Sequence, residues 1–175
     1  MKLPPQIVET ALSYVGRKER PQHDNKGSEI QEFFDADNYD PNGASPGDSG
    51  YPWCAAFVDR VVQVAMQKSG VKETAGFKRP TTPGAWDLIR WSLEQDWTTK
   101  TIRPGNTEIK AGDILVLKVS HVLIAVTDAD HHGYFESVEG NSNTDGSRDG
   151  YEVAHKTGEH RRHFTAVKSI IRFTV

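Results

Sequence analysis

The chain has 175 residues, 36% of them hydrophobic and 26% charged, with a formal net charge of −3. That balance predicts one globular domain over residues 1–175 with its own core. It offers no basic patch for nucleic acid and no run long enough for a membrane span, and the single cysteine excludes an internal disulfide.

The first residues lack the apolar centre of a signal peptide, so synthesis and folding in a cytoplasm are expected. Ile7, Val8, Ala11, Leu12 and Val15 recur at helical spacing and predict a helix over 5–16, ended by Gly16. A short helix is expected over 28–34, with Ile30, Phe33 and Phe34 inward. The stretch DADNYDPNGASPGDSGYP then reads as a long loop, rich in Gly, Pro, Asp and Asn. Cys54, Phe57, Val58, Val61, Val62 and Ala65 lie on one apolar helical face, and Gly70 suits the C-terminal cap. A further helix is predicted from Thr82 or Pro83 to about Glu94, with Trp86, Ile89 and Leu93 facing the core. After residue 110 the segments GDILVLKV, HVLIAVTD, GYFESVEG, YEVAHK and TAVKSIIRFTV read as successive strands. Helices first and strands second make an α+β pattern, with N-terminal helices packed on a C-terminal antiparallel sheet.

Cys54 stands in the first turn of its helix. A free thiol has a pKa of about 8.5, and a helix N-terminus or an imidazolium can lower it to roughly 3.5–7.5. The helix dipole contributes only about 0.3–1 kcal/mol, so a histidine partner is needed for a large shift. His121 opens the apolar strand HVLIAV, where a polar ring needs a partner or a task. If the following turn centres near Asp130, His121 lies opposite Glu139 on the same sheet face, and a carboxylate there could hold one ring nitrogen. Taken singly, Cys54 reads more often as a buried hydrophobe than as a nucleophile, and Glu139 as a strand-end surface charge. The order Cys, His, carboxylate fits a thiol hydrolase.

YPWCAAFV resembles the nucleophile motif of CHAP domains, the cysteine, histidine-dependent amidohydrolases/peptidases. AGDILVLKVSHVLIAVTD resembles that family's Gly-Asp strand and histidine strand, and SVEGNSNTDGSRDGYEV its Glu-Gly-Asn segment. The resemblance covers roughly residues 8–155. It implies a papain-like fold and cleavage of an amide in bacterial peptidoglycan, in the peptide stem or at its junction with the sugar. Carried over by position, Cys54 is the nucleophile, His121 the general base and Glu139 its orienting residue, with Asn141 a further polar catalytic position; the sequence leaves open which of Glu139 and Asn141 orients the ring. Tyr51 and Trp53 are expected at the substrate, with core packing the plainer account of Trp53, and the backbone N–H of Cys54 at the oxyanion, with a second donor from Tyr51 or the loop before it. One departure is Leu123, where the family often has a small residue: it either narrows the cleft or packs in the sheet.

The resemblance requires no cofactor. Asp35, Asp37, Asp40 and Asp48 in the 35–48 loop have calcium-like spacing, as some CHAP domains bind calcium near the nucleophile; solvated carboxylates are the plainer account. Residues 141–152 fit an EF-hand loop by spacing, but strands flank them and a turn is expected. His155, His160 and His163 match no closed zinc site. The expected partner is peptidoglycan, reached in the periplasm or wall as a phage lysin after lysis or as an exported antibacterial effector. An effector would have a cognate immunity protein. A cysteine deamidase of proteins and an inactive wall-binding module are the alternatives.

Overall fold

Helical periodicity in the first half becomes four helices among the residues that the computed structural model describes: 2–37, 51–96, 99–144 and 150–175. Helix α1 is Leu3–Ser13 and α2 is Gln31–Asp37. Helix α3 is Cys54–Ser69 and α4 is Asp87–Glu94. The strands are β1 Thr99–Ile102, β2 Ile114–Leu117, β3 Val122–Ala125, β4 Tyr134–Phe135, β5 Ser137–Ser142, β6 Glu152–Lys156, β7 Arg162–His163 and β8 Val167–Phe173. Six of them form an antiparallel sheet in the order β1-β8-β2-β3-β5-β6, and β4 pairs with β7 in a separate ribbon. The molecule is α+β, helices packed on an antiparallel sheet. No helix among the described residues is long and apolar enough to cross a membrane.

Helix α3 is the core of the helical layer. Cys54, Phe57, Val58, Val61, Val62 and Ala65 are all buried, as their spacing predicts, and Gly70 closes the helix at φ 77° with its N–H on the Met66 carbonyl. Helices α1 and α2 pack on α3, and α3 packs on β3 and β5. Ile30, Phe33 and Phe34 are fully buried as expected, although α2 begins and ends three residues later than predicted.

Two helices face differently from their predicted stripes. In α1 the inward line runs through Leu3, Ile7, Ala11 and Tyr14, while Leu12 and Val15 are exposed. In α4 the helix begins only at Asp87, so Thr82 and Pro83 lie outside it. Leu88 and Ser92 are buried there, whereas Trp86 and Leu93 are exposed. A helix this short can rotate its stripe to suit one neighbouring surface, here β1 and β8, which periodicity alone does not reveal. Strands β1 and β7 were not expected, and β4, which falls within the predicted strand GYFESVEG, pairs with β7 apart from the main sheet.

The register of β3 and β5 differs from the expected hairpin. Ile124 pairs with Val138 and Ala125 with Ser137. Extended, that register sets Leu123 across from Glu139 and Asn141 across from His121, two residues from the prediction. A shift of two preserves the face on which each side chain points, whereas a shift of one would have reversed it. His121 and Glu139 are thus diagonal neighbours, still within reach of long side chains. Leu123 is fully buried in the apolar cluster with Leu115, Phe135 and Ile170, so it packs in the sheet.

Candidate active site

The β2–β3 hairpin presents His121. The backbone N–H of His121 donates to the Val119 carbonyl at 2.7 Å, and its carbonyl accepts from the Leu117 N–H at 2.9 Å, so the residue sits in a tight turn just ahead of β3. Helix α3 presents Cys54 as its first residue. The preceding Trp53 provides no side-chain cap, so the N-terminal amides face the thiol region without a competing acceptor from that residue.

Close packing brings these two elements together. A Cβ added at Gly140 would stand 2.5 Å from Phe57 Cβ and 3.0 Å from a Trp53 ring carbon. Only a glycine between Glu139 and Asn141 lets β5 approach the first turn of α3 this closely.

Cys54 stands beside the His121 ring, close enough for that ring and the backbone N–H groups of Val122 and Ala55 to act on its charge. Burial pushes the thiol up, but these groups, His121 first, outweigh it, and the thiol lies below its ordinary value. Burial pushes the imidazole down, yet Cys54 and Glu139 raise it to about 10. Both shifts act in the direction of a thiolate–imidazolium pair.

The other side of the ring is occupied by Glu139. His121 Nε2 is 3.0 Å from Glu139 Oε2, which leaves Nδ1 for the sulfur. Glu139 is fully buried. It accepts from Ser137 Oγ at 2.7 Å and Ser142 Oγ at 3.3 Å. Arg162 grips both its oxygens, Nε on Oε1 and Nη2 on Oε2, each at 2.7 Å. Burial would raise the carboxyl, but Arg162 and then His121 hold it well below the usual carboxylate range. The His121 side chain is 17% exposed and the Glu139 side chain is not exposed at all, so the ring is the member of the set that solvent reaches most.

Of the predicted site residues, Cys54, His121 and Glu139 come together. Asn141 lies beside them on β5 at φ 52°, its Oδ1 buried without a hydrogen-bond partner, and the contact to His121 is made by Glu139 instead. Tyr51 is partly buried three residues before Cys54; its hydroxyl donates to Asp37 Oδ2 at 2.9 Å and its ring meets Phe34 edge-on. Trp53 corrects the expectation of a substrate contact. It is 0% exposed, stacked on Phe33, with its indole N–H donating to Glu19 Oε1 at 2.7 Å. A ring with no accessible surface belongs to the core.

Ser137, Ser142 and Arg162 were missed. Ser137 carried a signal, since it lies two residues before Glu139 on the same strand face. Arg162, 23 residues from Glu139, carried none.

The metal-like patterns lie partly in described elements and partly outside the described residues. Asp35 and Asp37 lie in α2, and Asp40 and Asp48 lie outside the described residues. Residues 141–152 run between β5 and β6, 145–149 lie outside the described residues, and Glu152 pairs with Lys18 at 3.2 Å. His155 pairs with Glu136, and His163 contacts the His132 carbonyl and Thr165. Among the described residues no three His, Cys, Asp or Glu side chains converge to hold a metal.

Neither the protein-family models nor the curated proteins contain a match to this chain. The solved structures do. The fold is that of an endolysin structure. The crystal structure titled as wild type endolysin LysIME-EF1 superposes with a TM-score of 0.54 at 20% sequence identity, over 98% of this chain and 64% of that one. The chain therefore spans just under two thirds of that protein's length, and the likeness is one of fold.

Proposed function

We propose that the protein is a peptidoglycan hydrolase that cleaves an amide bond through the thiol of Cys54. The observation that carries this reading is His121 held between a buried carboxylate and the thiol at a helix N-terminus. The likeness in fold to a protein titled an endolysin supports the substrate class, as does the CHAP-like motif around Cys54.

In this reading the Cys54 thiolate attacks the amide carbonyl carbon, forming a C–S bond and placing the π electrons on oxygen. The Cys54 backbone N–H, with a second donor from the side of Tyr51, stabilises that oxyanion. Collapse breaks the C–N bond as the His121 imidazolium gives its proton to the leaving amine. Neutral His121 then takes a proton from water, which attacks the thioester and releases a carboxylic acid and the thiol. Glu139 keeps the ring oriented and favours its charged form during each cycle. The chemistry as written runs on side chains alone, so the reading assigns no cofactor; calcium at the 35–48 loop would be a separate addition, detectable by calorimetric titration. The enzyme would reach the wall as a phage lysin or an exported effector, and in the second case an immunity protein of the producer would block the cleft.

The test is a digest of purified peptidoglycan, read by mass spectrometry, with wild type beside Cys54→Ala. New muropeptides are expected from wild type, with at least about a thousandfold loss in the variant, and their masses name the bond. Equal products from both would overturn the thiol mechanism. Products from neither would favour protein deamidation or wall binding without catalysis.

A further inference from the structure

The carboxylate that holds His121 is itself held from outside the main sheet. Glu139 is fully buried and belongs to β5, whereas Arg162 belongs to β7 in the separate β4–β7 ribbon. In that ribbon Arg162 is paired with the buried Phe135, and exposed Tyr134 with His163. A buried carboxylate left to one imidazole would carry a large desolvation cost, and removal of a charged partner leaves it uncompensated. The two parallel N–H···O contacts from Arg162 fix the plane of the carboxylate as well as its charge.

We propose that Arg162 is a positioning residue of the thiol site, which fixes the plane of Glu139 and balances its charge so that the Cys54–His121 pair forms beside a neutral neighbour. This rests on the reading of Cys54 as nucleophile. The charges alternate along the chain of contacts: Cys54 thiolate, His121 imidazolium, Glu139 carboxylate, Arg162 guanidinium. The other groups facing Glu139 from its own strand are the hydroxyls of Ser137 and Ser142. From β6, Lys156 stands across from Ser137 and gives its ammonium to the Asn143 carbonyl, and Ala154 stands across from Glu139. Among the described residues, Arg162 is thus the cation besides His121 that meets the carboxylate directly. Lysine would supply the charge but not the fork.

Cys54 is the only cysteine, so its alkylation by iodoacetamide against pH reads the thiolate without any substrate. Neutralising Arg162 removes a positive charge near the pair, which makes thiolate formation harder. The alkylation midpoint of Arg162→Met is therefore expected to rise, by up to about one pH unit. Arg162→Lys should keep the wild-type midpoint yet lose wall hydrolysis several-fold, because the carboxylate is no longer fixed at two points. Circular dichroism checks folding, and Arg162→Gln replaces the Met variant if that fails to fold. A midpoint unchanged in the neutral variants, or moved as far in the Lys variant, would overturn the proposal and leave Arg162 a structural tie. If wild type and Cys54→Ala act alike on walls, the hydrolase reading falls, and the alkylation midpoints still decide what Arg162 does.

Discussion

At the scale of the residue, each side chain in the site is defined by what it touches. Trp53 immediately precedes Cys54, and its neighbours in the sequence suggest a cleft aromatic. Its indole N–H instead satisfies the buried Glu19 carboxylate. Trp53→Phe leaves that oxygen short of a donor, and a loss of about 1–3 kcal/mol is expected from urea denaturation. Because the ring has no exposed surface, KM for wall fragments should stay within error of wild type. A raised KM with unchanged stability would return Trp53 to the substrate site. Cys54, His121 and Glu139 were legible in the sequence because a lone thiol at a helix start and a polar ring opening an apolar strand are both locally anomalous. Arg162 was not legible, since one arginine among the chain's exposed charges looks like any other until the ribbon folds it onto β5.

At the scale of the element, α3 and the β3–β5 pair determine whether the thiol meets the ring. The inward face of α3 was readable because sixteen residues repeat the pattern several times over. The eight residues of α4 repeat it barely twice, and of the predicted face only Ile89 packs on the core while Trp86 and Leu93 are exposed. The β3–β5 register was misjudged by two residues, yet the conclusion that His121 and Glu139 share a face survived because strand side chains alternate with period two. What brings these elements into contact is Gly140. Gly140→Ala places a methyl carbon 2.5 Å from Phe57 Cβ, so β5 and the first turn of α3 must separate. Overpacking of this kind typically costs about 1–3 kcal/mol. A displacement near 1 Å between reacting groups can cost about a hundredfold in rate. A lowered melting temperature together with a rate loss of that order in the folded fraction is expected. Wild-type rate in a variant of wild-type stability would show that the close approach is dispensable.

At the scale of the molecule, the site is also a joint. Glu139 ties the six-stranded sheet to the β4–β7 ribbon through Arg162 and to the β2–β3 hairpin through His121. Its pKa is depressed in the folded state. A depressed carboxyl contributes stability that is fully present above its unfolded pKa of about 4.3 and is lost as pH falls toward the folded value. Chemical denaturation at a series of pH values should therefore show stability falling below about pH 4. Glu139→Gln should be less stable at neutral pH and lose less on acidification. The same acid slope in both proteins would place the acid sensitivity elsewhere.

The sequence by itself determined the class of the fold, the buried face of α3 and the pairing of a lone thiol with the ring that opens an apolar strand. Those follow from periodicity and from residues that are chemically out of place in their local surroundings, and both are properties of short stretches of chain. The tertiary structure alone decided that Glu139 and not Asn141 holds His121, that Trp53 is core, and that Arg162 completes the set. Each of these depends on a contact between residues from different elements, made possible by the close approach at Gly140 and the ribbon that returns over β5. Local patterns carry no record of such distances, because the energy that sets them is packing and desolvation summed over surfaces that meet only in the folded molecule.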